Sequence, residues 1–339
     1  MYAPWGGFPP MPNVHDADIK GHIAHLKRAA QFALSTHRPL NPDHPSWEFQ
    51  TSFVGAMWGQ PAINIRPLHP KNGSQKYRRA SACCYLIPSP LADSTFRLHN
   101  EIAALSHDYV DAPDGKLSMR AIYPAGSYTF SHDPQGGFSF YAPGPSNVDL
   151  TTAKEATFSY DVYFPSDFDF VKGGKLPGLY GGDSDDEALS CSGGRRDDGC
   201  WSARFMWRTN GAGELYTYLP PDYDENQAVC DIPPYSTCND VYGASVGRGA
   251  WTFETGGRTT IAQRVRLNDA GQANGELEVF IAGKSVINVG GLVIRDSSAG
   301  RIRGLQMQTF FGGSDSSWAS PTDQDVYFSD FSVAITEDL

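Results

Sequence analysis

Between residues 175 and 218 the sequence sets out a lysine, a serine–arginine pair and a tyrosine pair whose side chains could act on one substrate. Lys175 lies in Lys-Leu-Pro-Gly-Leu, Ser202 and Arg204 are two apart, and so are Tyr216 and Tyr218. Residues two apart on a strand share a face, so each pair projects together. Cations and phenols in one patch suit the removal of a proton from carbon beside a carboxylate. Eliminating a 4-O-linked sugar from a uronate needs that step, because the C5 proton is only weakly acidic while the carboxylate keeps its charge. A Lys or Arg beside the carboxylate stabilises the enolate-like charge that develops. A tyrosine near a cation can have its pKa lowered and act as base, and a protonated phenol can donate to the leaving oxygen.

The register decides whether these groups meet. Ser202, Arg204, Met206 and Arg208 alternate with Ala203, Phe205 and Trp207, and the second set is a core face. In the next strand Glu214, Tyr216 and Tyr218 alternate with Leu215, Thr217 and Leu219. Between the two, Thr209-Asn210-Gly211-Ala212-Gly213 is a hairpin signal. A loop of odd length puts the tyrosines on the face of Arg204, with Arg208 opposite Glu214 and Arg204 opposite Tyr218. A two-residue Asn210-Gly211 turn would send them to the other face. The odd length is favoured because only it gathers Phe205, Trp207, Leu215 and Leu219 in the core.

Each candidate has a bland reading beside it. Paired tyrosines alone are more often one face of an amphipathic strand; the company of Lys175, Ser202 and Arg204 favours chemistry. Lys172 rivals Lys175, but exposed lysines beside glycine are usually solvated, and Leu-Pro-Gly-Leu anchors Lys175 better. Gln306 and Gln308 present amides that could bond sugar hydroxyls or simply satisfy the sheet. The acidic loop 183–187, with Asp197 and Asp198, could hold a structural calcium, although it lacks the regular ligand spacing of a calcium loop. His15, His22, His25 and His107 lack zinc spacing, so neither a catalytic metal nor another cofactor is expected. No histidine falls within 156–339, which leaves tyrosine as the available base.

The elements that must hold these residues are strands. The 339 residues include 35 Gly, 24 Pro and 16 Tyr, the texture of short strands joined by tight turns. Strands are expected at 117–130, 137–142, 156–165, 202–208, 214–219, 259–267, 275–281, 285–289, 301–311 and 325–336, in an all-β, two-sheet antiparallel sandwich. Ala156, Phe158, Tyr160, Val162 and Phe164 share one face and build the core. Residues 1–100 read as an N-terminal extension with one helix at 19–36, and 101–339 as the β domain.

A net charge of −11 argues against a nucleic-acid partner but allows a local cationic cleft for an anionic polymer. No apolar run is long enough to span a bilayer, and a monomer is expected. The six cysteines group as Cys191 with Cys200, Cys230 with Cys238, and the adjacent Cys83 and Cys84. Two short loops bounded by cysteines look disulfide-closed and favour an extracellular, oxidising compartment, with reduced buried thiols as the alternative. Residues 1–12 show no signal peptide, which conflicts with that location.

Taken together, Lys175 in its Lys-Leu-Pro-Gly-Leu setting, Ser202 with Arg204, and Tyr216 with Tyr218 resemble polysaccharide lyase family 14, the alginate and polyglucuronate lyases. The likeness covers about 150–339, including Gln308-Thr309-Phe310-Phe311-Gly312-Gly313 and Val326-Tyr327-Phe328-Ser329-Asp330. Fungal glucuronan lyases of family 20 share a similar jelly roll. The resemblance implies a jelly-roll lyase acting on an acidic polysaccharide. It also implies that Lys175 neutralises the carboxylate, Tyr216 or Tyr218 serves as base and acid, and Ser202 and Arg204 hold the substrate. Two other classes compete. A glycoside hydrolase needs two carboxylates flanking the bond; Glu276 and Glu278 alternate on a strand, but a Glu-x-Asp-x-x-Glu cluster is absent. A non-catalytic carbohydrate-binding module would use exposed aromatics such as Trp251 or Trp318.

Overall fold

The computed structural model describes residues 53–58 and 84–339; the helix expected at 19–36 lies outside them. In chain order the strands are β1 (Phe53–Trp58), β2 (Cys84–Ser89), β3 (Tyr109–Asp111), β4 (Leu117–Tyr123), β5 (Phe138–Ala142), β6 (Ala153–Phe164), β7 (Gly173–Gly182), β8 (Cys200–Arg208), β9 (Ala212–Tyr218), β10 (Ala244–Thr252), β11 (Gly257–Arg266), β12 (Gly275–Ile281), β13 (Lys284–Leu292), β14 (Arg301–Phe311) and β15 (Gln324–Asp338). They form two sheets of a β-sandwich jelly roll. The larger runs β13-β12-β11-β6-β15-β1-β2, with β4 also on β15 and β3 on β4; the smaller runs β10-β9-β8-β7-β14-β5. All pairings are antiparallel except β1 with β2. Two strands from the first hundred residues thus extend the larger sheet.

The core fills the space between the sheets. From β6 it takes Ala156, Phe158, Tyr160, Val162 and Phe164, as their alternation predicts, and from β8 it takes Trp201, Ala203, Phe205 and Trp207. Trp207 meets Tyr123, Phe164, Phe168 and Phe311 edge-on, the geometry aromatic quadrupoles prefer.

β7 was not expected as a strand, because Gly173-Gly-Lys-Leu-Pro-Gly-Leu-Tyr-Gly-Gly182 has the composition of a turn. Its glycines answer to its neighbours. A Cβ at Gly174 would come 2.1 Å from the Trp207 ring, and one at Gly178 would come 2.0 Å from the Ala203 carbonyl oxygen. Only a bare backbone fits beside the Trp207 ring and the backbone of β8. Pro177, which has no N–H for the ladder, sits at a shift in register between Leu176 and Gly178. That bulge lets Leu176 and Leu179 both reach the core, and the Tyr160 hydroxyl donates to the Pro177 carbonyl at 2.9 Å.

Candidate active site

The functional candidates lie on the face of the smaller sheet turned away from the core. On β8, Ser202, Arg204, Met206 and Arg208 take the positions between the core residues. On β9, Glu214, Tyr216 and Tyr218 do the same. The hairpin joining them has the odd length expected, but its register differs by two residues. Arg204 pairs with Tyr216, Ser202 with Tyr218, and Met206 with Glu214. The turn is Thr209–Gly211, tightened by positive φ at Asn210 (58°) and Gly211 (74°). Arg208 is therefore diagonal to Glu214 rather than opposite it, and still reaches it at 2.6 Å.

Lys175, at the start of β7, pairs with Met206 of β8 and Phe310 of β14. Its ammonium nitrogen lies 2.7 Å from the Met206 sulfur and 3.6 Å from the centre of the Tyr216 ring. Arg204 is 2% exposed and donates to Gln308 Oε1 at 2.8 Å. Gln308 donates to Ser139 Oγ at 3.0 Å; Gln306 donates to Gln308 Oε1 at 3.0 Å and to the Tyr141 hydroxyl at 3.1 Å. Gln306 is buried beneath the site, whereas Lys175, Tyr216, Gln308 and Phe310 are half-buried and form its open surface.

Ser202 and Tyr218 face a covering loop. The Ser202 hydroxyl donates to the Cys191 carbonyl at 2.7 Å, and the Gly194 N–H donates to the Tyr218 hydroxyl at 2.9 Å. Cys191–Cys200 and Cys230–Cys238 are disulfides; the first packs with Tyr218 and Tyr216.

The electrostatics separate these groups. Burial, aided by the Arg204 and Arg208 guanidiniums, pushes the Lys175 ammonium well below the usual lysine range. Burial also lowers Arg204, although a guanidinium stays charged. Tyr216 moves the other way. Burial, then the charge and hydrogen bond of Tyr218, push its phenol above the usual range despite Arg204 and Arg208. Glu214 is fully buried; burial opposes its charge, but Arg208, the Ser245 hydroxyl and Arg248 outweigh that and hold its carboxyl below the usual range. Among the described residues no carboxylate is within ion-pairing distance of Lys175 or Arg204. The buried Arg204 guanidinium thus lies on this face without an ion-paired carboxylate, which is costly for a fold and characteristic of a site that receives an anion.

A profile for polysaccharide lyase 14 matches residues 111–331. The chain belongs to this family. This polysaccharide lyase is similar in structure to the marine PL-14 alginate lyase of Aplysia kurodai, at 32% identity over 70% of this chain and 90% of that one, with a TM-score of 0.62. It is also similar to the alginate lyase vAL-1 of Chlorella virus, at 25% identity over 72% of this chain and 93% of that one, with a TM-score of 0.56. No curated protein matches the sequence.

Several residues of the candidate site carried no role in the sequence reading. Met206 stood on the right face but suggested nothing by its type. Ser139 and Tyr141 alternate with Phe138 and Phe140 on β5, a pattern that could have flagged them. The Glu214–Arg208–Arg248 cluster needed the β9–β10 pairing to be seen. The competing candidates are occupied elsewhere. Glu276 and Glu278 bind Arg264, and Trp251 is a core residue. Of the acidic loop, Asp183 accepts from Ser297, Asp185 pairs with Arg303, and Asp197 and Asp198 accept backbone N–H groups. Among the described residues no group of three His, Cys, Asp or Glu is placed to hold a metal ion.

Proposed function

We propose that this lyase cleaves a 4-linked polyuronate, of the alginate or glucuronan type, by β-elimination in an extracellular setting. The supporting observation is Arg204, a buried guanidinium that, among the described residues, forms no ion pair with a carboxylate: a uronate would supply the missing charge. The neighbours named as alginate lyases support the same substrate class, and two disulfides support an oxidising compartment.

Groups whose environments push their pKa values apart reveal the acid and the base. Lys175, driven toward its neutral amine, takes the C5 proton. The electron pair forms the C4–C5 double bond and expels O4, which takes the proton that burial keeps on Tyr216. The ammonium and phenolate left behind then exchange that proton and reset the site. Arg204, with the Gln308 amide, faces the carboxylate and stabilises the enolate-like charge. Tyr218 and Ser202 position Tyr216 and the covering loop. These roles move the base from a tyrosine, where sequence alone put it, to the lysine. The steps use only side chains, and no cofactor enters them.

Incubation with alginate, glucuronan and a neutral glucan tests the reading. Ultraviolet-absorbing unsaturated uronate should appear with a polyuronate only, and Tyr216→Phe should lower kcat about 10²–10⁴-fold at an unchanged melting temperature. New reducing ends without ultraviolet absorbance would identify a hydrolase instead.

A further inference from the structure

Beyond the reacting groups, the same face carries a second cationic feature, of which Lys172 has no part in the elimination. Trp318 lies in the turn Ser316–Trp318 after β14. The Lys172 ammonium is 5.9 Å from the centre of its ring, and the Arg208 guanidinium is 5.8 Å away. Gly313 brings the backbone against this indole: a Cβ there would fall 2.0 Å from the ring. Lys172 is exposed and donates to the Ser317 hydroxyl. Arg208 shares the single carboxylate of Glu214 with Arg248, and Asp315, which accepts from Ser317, lies in the field of Lys172, so three cations face two carboxylates and a positive charge is left over. Phe310 continues the surface from Lys175 and packs against Phe130, with ring centres 4.3 Å apart.

Lys172 precedes Lys175 by three residues, roughly 10 Å of extended chain. That is too far to touch the reacting sugar or the ring next to it, and within the reach of a ring farther along the same polymer. We propose that Lys172 and Arg208, held beside Trp318, form a remote subsite for the carboxylate of a second uronate in the bound chain. The subsite rests on the polyuronate reading above and explains how the enzyme would grip polymer more tightly than a short oligomer. Lys172, set aside in the sequence as a solvated lysine, gains a specific partner.

Steady-state kinetics on a uronate trisaccharide and on long polyuronate test this with Lys172→Ala, and with Trp318→Phe and Trp318→Ala as companions. Lys172→Ala should raise KM for the polymer roughly five-fold, the effect of one exposed charge contact, and leave kcat/KM for the trisaccharide as it was. Trp318→Ala should act the same way, and Trp318→Phe should restore most of the loss. An unchanged polymer KM in Lys172→Ala overturns the subsite, and so does an equal rise for both substrates. A wild-type enzyme that yields no unsaturated product from any polyuronate overturns the polyuronate reading itself, a separate result.

Discussion

Lys175 and Tyr216 lie 3.6 Å apart, nitrogen to ring centre, yet their protons are held in opposite senses. The Lys175 ammonium gives up its proton well below its ordinary value of 10.5, and the Tyr216 phenol keeps its proton above its ordinary value of 10.0. If Lys175 is the base, activity grows as pH rises through its lowered pKa and declines only once Tyr216 ionises. The acid limb of kcat/KM should therefore lie far below 10.5, and the alkaline limb above 10.0. Lys175→Arg decides between base and charge clamp. Arginine keeps the positive charge but cannot give up a proton near neutral pH, so the variant should be inactive at every pH. Substantial turnover by Lys175→Arg would return the lysine to the substrate carboxylate.

At the scale of elements, the site depends on how β7, β8, β9 and a disulfide-closed loop meet. Cys191–Cys200 fixes the loop whose Cys191 carbonyl and Gly194 N–H hold Ser202 and Tyr218. Replacing both cysteines by serine should cost roughly 3 kcal/mol of stability, from the entropy returned to the unfolded chain. It should also lower kcat, because Tyr218 loses the backing that keeps it on Tyr216. Denaturant unfolding and polymer turnover measure the two effects, and a stability loss with kcat intact would confine the loop to a structural role. Much of this arrangement was legible beforehand. Alternation alone placed Phe158 and Tyr160 inward, and together with an odd-length hairpin loop it placed Arg204 and Tyr216 on one face. β7 was hidden because the glycines that let it lie against Trp201 and Trp207 look like turn residues. The Arg204–Tyr216 pairing was hidden because it depends on positive φ at Asn210 and Gly211 rather than on hydrophobic pattern. The Arg204–Gln308 bond depends on the strand order β8-β7-β14, a long-range choice that no local pattern encodes.

Across the whole molecule the two sheets use their cations differently. The larger sheet neutralises its own: Arg264 meets Glu155, Glu276 and Glu278, and Arg258 meets Asp114. On the smaller sheet, among the described residues, Lys175 and Arg204 form no ion pair with a carboxylate, and Arg208 and Arg248 must share Glu214. An acidic protein of net charge −11 thus presents a positive surface where a polyanion would bind, and ionic strength acts on the two charges at different ranges. At about 0.01 M salt the screening length is about 30 Å, so the negative molecule as a whole repels the polymer; near 0.15 M it is about 8 Å, and only local charges still act. The kcat/KM for polyuronate should therefore rise over that interval and fall again towards about 1 M, where screening within about 3 Å weakens the site's own cations. A salt series at fixed pH measures this. A steady fall from the lowest salt would show that the site's field outweighs the net charge throughout, and a steady rise would show that these cations do not draw the substrate in.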